Sequence, residues 1–333
     1  MLYFPSYFAD TEYANHGTEV AESLDLENFD GIVCVGGDGM VHEVIQGIMR
    51  RTDWKTVASN LPIAVIPGGS GNGIARSLCE IKGEYFNPLE CCFLAIKGLC
   101  RPSPVDVASV LVYGSGSQIV RRIYTIQHIE WGCVADIDIE SEKCRCVGDL
   151  RFSAQGVVRA WGLRIYDGKL MYLPVDVENQ AGSHHLTGEA KEQIESLDHP
   201  QTSFIPTAEK GTEGWVEIDG RFATVWILQT KFQSVDVCNA PSSELDDGVF
   251  YVLIVRDTNE CSMTKMLLDM DEKGSVSVDS RFFKKTKRKT NEAARCGAGY
   301  MEQQCGGGSC ESLSFGAGNT AGWLLPTALL LLL

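Results

Sequence analysis

An aspartate set among glycines at the end of an apolar run is the feature of this 333-residue chain best suited to chemistry. Asp38 lies in Gly36-Gly37-Asp38-Gly39, directly after Ile32, Val33, Cys34 and Val35. Those four apolar residues show no alternation, as expected of a parallel strand covered on both faces. The glycines leave the following turn bare, so phosphate oxygens can come close to backbone N–H groups. Val41, Val44, Ile45 and Ile48 then repeat at helical spacing. Turns of this kind also occur without any ligand. The pattern recurs, however: Ile63 to Ile66 reads as a second buried strand, and Pro67-Gly68-Gly69-Ser70-Gly71-Asn72-Gly73 leads into a second helix at Ile74. Adjacent parallel strands would bring both loops to the carboxyl edge of one sheet, where open α/β sheets place their ligands. That geometry suits a nucleoside triphosphate.

The elements that position these loops follow from the breakers. Residues 1–103 alternate strand and helix and end at Arg101-Pro102-Ser103-Pro104, a proline turn expected to mark a domain boundary. Residues 104–283 are β-rich, with runs at Val105 to Tyr113, Ile119 to Ile129, Leu170 to Val177, Trp215 to Ile218, Ala223 to Thr230 and Val249 to Val255. One helix is expected from Arg151 to Leu163, and several strands in series suggest an antiparallel β-sandwich. Residues 178–214 are polar, acidic and turn-rich, and the pair His184-His185 within them reads as surface decoration rather than a metal site. Residues 284–333, a basic run followed by glycine-rich low-complexity sequence, are expected to be a disordered tail.

A composition of 44% hydrophobic and 22% charged residues is enough for two ordinary domains with real cores. The formal charge of −15 argues against general nucleic-acid binding. Thirteen cysteines are scattered through apolar runs with no basic-plus-apolar leader before them, and they read as reduced thiols of a cytoplasmic protein. Cys296, Cys305 and Cys310 lack zinc-like spacing, so no metal ligand is assigned. The basic run Lys284-Lys285-Thr286-Lys287-Arg288-Lys289 is open to three readings: a solvated charge run, attraction to an anionic membrane surface, or nuclear import. The apolar end from Trp323 onward is too short for a spanning helix, which needs ~20 apolar residues.

With its two glycine loops, the chain resembles the diacylglycerol-kinase-like lipid kinases. The run Trp131-Gly132-Cys133-Val134-Ala135-Asp136-Ile137-Asp138-Ile139-Glu140-Ser141-Glu142-Lys143, with Arg145, Gly148, Arg151 and Phe152 after it, narrows this to a resemblance to the sphingosine kinases. Thr11-Glu12 with Asn15-His16, and Trp54, fit the same pattern. The resemblance spans about residues 10 to 280 and implies transfer of the ATP γ-phosphoryl group to the primary hydroxyl of a sphingoid base, with Mg²⁺, at a membrane surface. It implies Asp38 as general base. It implies nucleotide contacts from Thr11, Gly36, Gly37, Gly39, Gly68, Gly69, Ser70, Gly71, Asn72, Arg145 and Arg151. It also implies Asp138 as the carboxylate that pairs with the substrate amine. The residues alone leave another reading open, in which Asp136 or Asp138 caps the turn at Glu140 to Lys143.

The family opens its catalytic domain with a further strand and glycine loop and closes it with an Asp-Gly-Glu strand. Neither is found here, since Asp219-Gly220-Arg221 matches that triplet only superficially. The resemblance therefore implies an incomplete Rossmann-like α/β nucleotide-binding domain followed by the β-sandwich. It carries the expectation of a truncated, catalytically poor form that binds lipid or a partner. A related ceramide or diacylglycerol kinase is the remaining alternative.

Overall fold

The computed structural model describes residues 6–98, 102–113, 119–141, 143, 150–174, 214–273, 291–305, 308–324 and 331–332. A two-residue strand β1 (Ser6–Tyr7) precedes helix α1 (His16–Ser23). The two apolar runs form strands β2 (Ile32–Gly36) and β3 (Ile63–Pro67), paired in parallel with Gly36 opposite Pro67, so both glycine loops leave the same edge. Each loop opens a helix, α2 (Asp38–Arg50) after the first and α4 (Gly73–Lys82) after the second, with α3 (Trp54–Asn60) between the strands and α5 (Pro88–Gly98) following. The helical stripe Val41, Val44, Ile45 and Ile48 is buried. It joins Ile32, Cys34, Ile63, Val65, Trp54, Ile74 and Leu78 in one core.

The second half supplies β4 (Ser103–Tyr113), β5 (Ile119–Thr125), β6 (His128–Gly132), α6 (Cys133–Ser141), α7 (Leu150–Trp161), β7 (Tyr166–Pro174), β8 (Val216–Leu228), β9 (Phe250–Arg256) and α8 (Glu260–Lys273). Strands β10 (Asn291–Cys305), β11 (Gly308–Leu324) and β12 (Leu331–Leu332) complete the order, with β12 pairing β1. Strand β9 is buried on both faces. Its Phe250, Val252 and Ile254 meet Ala108 and Val110 of β4 and Leu170 of β7, whereas Tyr251, Leu253 and Val255 pack under Val134, Ala160 and Met266 of the helices.

Several expectations are corrected. Hydrogen bonding joins the antiparallel strands to β2 and β3 in a single ten-stranded sheet, so strand pairing does not draw a separately bounded sandwich. Val105, Tyr124 and Ile126 also enter the core built by α2 and β2. The run from Ile119 is two strands, β5 and β6, because the chain bends at Ile126-Gln127. The two runs around Gly220 are one strand, β8, which glycine carries through at φ 129. Residues 291–305 and 308–324, expected to be disordered, form a β-hairpin. The two strands pair antiparallel from Ala298 opposite Gly316 to Cys305 opposite Gly308. The polar stretch 178–214 up to residue 213, and the basic run 284–289, lie outside the described residues. No described helix is long and apolar enough to cross a membrane.

Asp106, buried in β4, accepts a hydrogen bond from Gly248 N–H. Burial, with Asp247 and Asp246 nearby, pushes its carboxyl up to about 7. The folded state therefore holds this proton up to pH about 7, whereas the unfolded chain releases it near 3.8. Stability is lost as pH rises through that window. Asp106→Asn keeps an acceptor for Gly248 and removes the charge. Its thermal midpoint should equal the parent's at pH 4 and exceed it at pH 8. Equal pH dependence of the two proteins by calorimetry would refute the assignment.

Candidate active site

The two glycine loops touch. Gly68 N–H donates to Gly36 O at 2.9 Å, and a Cβ on Gly37 would lie 3.0 Å from Gly69 Cα. A Cβ on Gly69 would overlap Gly37 Cα outright, so the loops pack backbone on backbone. Asn72, at φ 53, closes the second loop on itself: its Oδ1 accepts from Gly69 N–H at 2.9 Å and its Nδ2 donates to Gly69 O at 2.6 Å. Behind it runs an unanticipated strap, in which Val235 N–H donates to Gly71 O at 2.9 Å and Ser234 bridges Asn72. Ser70 sits partly buried at the bend, and Gly39 is exposed, with no atom within 4 Å of where a Cβ would stand.

Asp38 is the first residue of α2, and its carboxylate crosses to the other loop. Gly73 N–H donates to Oδ2 at 2.9 Å and Ile74 N–H to Oδ1 at 3.0 Å. The positive end of α4 therefore faces Asp38, where the sequence suggested a phosphate. Burial raises the Asp38 carboxyl above its ordinary range. The amides of Ile74 and Gly73, a hydrogen bond with Gln127 and the charge of His128 pull the other way. Two amide bonds leave lone pairs over, because an ionised carboxylate accepts about four.

Thr11 lines an apolar cleft with Val20, Ala21 and Met40, behind the first turn of α2. The Asn15-His16 segment anchors α1 on α2. Glu43 of α2 accepts Asn15 N–H and Gly17 N–H, each at 2.9 Å, and so caps α1. Asp138 lies inside helix α6, not at a turn. Asp136 and Glu140, one helical turn apart, share a face directed at other elements. Tyr166 Oη donates to Asp136 at 2.7 Å, Arg164 reaches both carboxylates, and Arg159 forms a close ion pair with Glu140. Asp138, about 200° round the helix from Asp136, instead acts on the charge of His128. Arg151 lies in the first turn of α7, and Arg145 lies outside the described residues. Among the described residues no group of three or more side chains could hold a metal ion.

Residues 5–110 match the family model for the diacylglycerol kinase catalytic domain. Human sphingosine kinase 1 is 34% identical over 271 residues, covering 79% of this chain and 67% of that protein. The chain belongs to the sphingosine kinase family. Arabidopsis thaliana sphingosine kinase 1 is 32% identical over 263 residues, covering 79% of this chain and 52% of its own length, so the chain spans about half of that relative. A diacylglycerol kinase from Bacillus anthracis strain Sterne shares the fold, with a TM-score of 0.56 at 16% identity over 95% of this chain and 84% of that one. Within this family frame, the residues that sequence reasoning missed are Glu43, Gln127, His128, Glu130 and the 232–238 strap. Their only signal was polarity within apolar runs.

Two glycine substitutions separate packing from ligand access. Gly69→Ala forces the loops apart and should cost ~1–3 kcal/mol by overpacking. Gly39→Ala fills empty space in a helix and should stabilise by ~0.5–1 kcal/mol, yet weaken ATP binding by blocking approach to the first turn. Paired measurements of thermal midpoint and ATP affinity check both. Unchanged ATP affinity in Gly39→Ala would place the phosphates elsewhere.

Proposed function

We propose that this chain transfers the γ-phosphoryl group of Mg-ATP to the primary hydroxyl of a sphingoid base, sphingosine or sphinganine, giving the 1-phosphate. The observation that carries the reading is Asp38: a half-buried carboxylate of raised basicity at the meeting point of two glycine loops. Residues 6–98 then form the nucleotide half, and the elements beyond Ser103 the lipid-substrate half. Phosphoryl transfer passes through a loose transition state, so the protein mainly positions groups and neutralises charge. Asp38 accepts the hydroxyl proton as the hydroxyl oxygen bonds to the γ-phosphorus and the bond to the ADP oxygen breaks. Gly36, Gly37 and Gly39 in the first loop, and Gly68 to Asn72 in the second, admit the phosphates to the backbone. Arg145 and Arg151 are the arginines that the family resemblance assigns to the phosphates. Mg²⁺ suits this donor set through phosphate oxygens and water, which magnesium prefers to a full protein cage.

Asp138 supports a sphingoid base over diacylglycerol or ceramide, because only the sphingoid base presents an ammonium group beside its hydroxyl. The reading includes a cytoplasmic enzyme working at a membrane surface, since the lipid substrate resides there, with the 284–289 basic run as an added electrostatic anchor.

Asp38→Asn should lower turnover by ~10²–10⁴-fold in a mixed-micelle phosphorylation assay and leave ATP affinity within a few-fold. Turnover within threefold of the parent would remove the base. Asp138→Ala should raise the sphingosine KM far more than the ATP KM. Parallel assays with diacylglycerol and ceramide test the substrate class, and preference for either over sphingosine would overturn it.

A further inference from the structure

The hairpin of α4 and α5 buries two thiols against each other. Cys79 in α4 and Cys91 in the first turn of α5 are fully buried, and their sulfurs lie 3.5 Å apart, within hydrogen-bonding reach. With Leu94 and the half-buried Phe86 they form a small cluster of their own. The connection between the helices is tied down at both ends. Gly83 ends α4 at φ 68, Glu84 N–H donates to Cys79 O at 2.9 Å, and Asn87 Oδ1 caps α5 by accepting Glu90 N–H at 2.9 Å. Helix α5 covers the pair as a single layer: Leu89, Phe93 and Ile96 on its outer face are exposed, while Ala95 packs against Val33 and Ala64 of β2 and β3. The pair therefore joins the helix that caps Asp38 to the helix that covers the strands of both glycine loops. The two thiols are not alike. The hydrogen bond with Cys91 lowers the pKa of Cys79 in spite of burial, helped by the charge of Arg76 one turn earlier on α4. That same bond, together with burial, raises the pKa of Cys91. Cys34 in β2, by contrast, is simply pushed up by burial.

We propose that Cys79 and Cys91 are a reversible thiol–disulfide site, oxidised by hydrogen peroxide, that clamps α5 onto α4. Opening of α5, a single helical layer, uncovers the sulfurs without unfolding the main core. The Cys79 thiolate attacks one peroxide oxygen: an S–O bond forms, the O–O bond breaks, and hydroxide leaves and takes up the proton that Cys79 released. Cys91 then attacks the sulfenic sulfur. The S–S bond forms, the S–O bond breaks, and the hydroxyl departs as water with the Cys91 proton. Two thiols lose two electrons in all, and one peroxide gains them as two waters. A dithiol reductant reverses the reaction by exchange. The sulfurs must close from 3.5 Å to about 2.05 Å. Because the linked residues are 12 apart, the bond closes a short loop and restricts the unfolded chain. Cys79 stands roughly 8 Å along the α4 axis from Ile74, so the clamp leaves the amide bonds to Asp38 in place.

The test treats the full, reduced chain with hydrogen peroxide and maps its peptides by mass spectrometry without reduction. Exposed Cys261 reports when the dose suffices. A Cys79–Cys91 linkage should form in the parent and vanish with dithiothreitol. In Cys91→Ser, dimedone should trap a sulfenic acid on Cys79, whereas in Cys79→Ser it should leave Cys91 unlabelled. The linked parent should melt a few degrees above its reduced form, and peroxide should raise the midpoint of neither serine variant. Each protein is compared with its own reduced form, so any cost of the substitution cancels, and the parent's map decides even where a variant fails to fold. Cys79 and Cys91 left unlinked while Cys261 is fully oxidised, or either of them linked to Cys92 instead, overturns the inference. So does dimedone on Cys91 rather than Cys79, or a linked parent whose midpoint has not risen.

Discussion

The carboxylate of Asp38 ties the two glycine loops at the sheet edge together. It begins one helix and caps another, taking the Gly73 and Ile74 amides at 2.9 and 3.0 Å. Charge-assisted bonds of this kind are worth ~1.5–3 kcal/mol each, and here they cross between loops whose strands share only five paired positions. The backbone contact of Gly37 with Gly69 depends on that tie. In turn it explains why neither loop tolerates a side chain at those points. The same bonds set the chemistry, since burial and amide donors pull the carboxyl's proton affinity in opposite directions.

The parts of this site that were legible in the sequence are those where one residue type is forced by backbone geometry. Glycines at a strand's end, repeated after a second buried strand, announced the loops, and both strands formed where the unbroken apolar runs stood. Helix α6 was hidden because Ile137, Asp138 and Ile139 alternate like a strand, and its hydrophobic face is narrow: Cys133, Val134 and Ile137 are buried while Ile139 is exposed. Burial of that face under β8 and α8 overrode local pattern. Strand β8 looked like two because Gly220 reads as a breaker, yet a positive φ there lets the strand continue, with Gly220 paired to Gly168 of β7 in regular register. Glu43 could not be found by pattern, because its partners at Asn15 and Gly17 lie 28 and 26 residues away.

The acidic composition has a local logic. A net charge of −15 would repel ATP if it were spread evenly over the edge of the sheet. The carboxylates near the site are instead each answered in place: Asp38 by the α4 amides, Glu43 by the α1 amides, Asp136 by Tyr166 and Arg164, Glu140 by Arg159 and Arg164. Backbone dipoles serve on the nucleotide side and arginines on the α6 side. That division matters, because helix ends neutralise a carboxylate without placing a mobile cation at the edge where the glycine loops meet.

On the α6 side the answered carboxylates leave the electrostatics to the other face of the helix. Asp136 and Glu140 lock α6 to α7 and β7, and this fixes the rotation of the helix about its axis. Because Asp138 is two residues from each, that rotation turns it toward β6, where its charge reaches His128. Arg159 and Arg164 thereby fix where the Asp138 carboxylate, the proposed partner of a substrate amine, stands. Loosening the Arg159–Glu140 pair would let α6 roll and carry Asp138 away from β6. The position of the Asp138 carboxylate therefore depends on a structural ion pair one helical face removed from it.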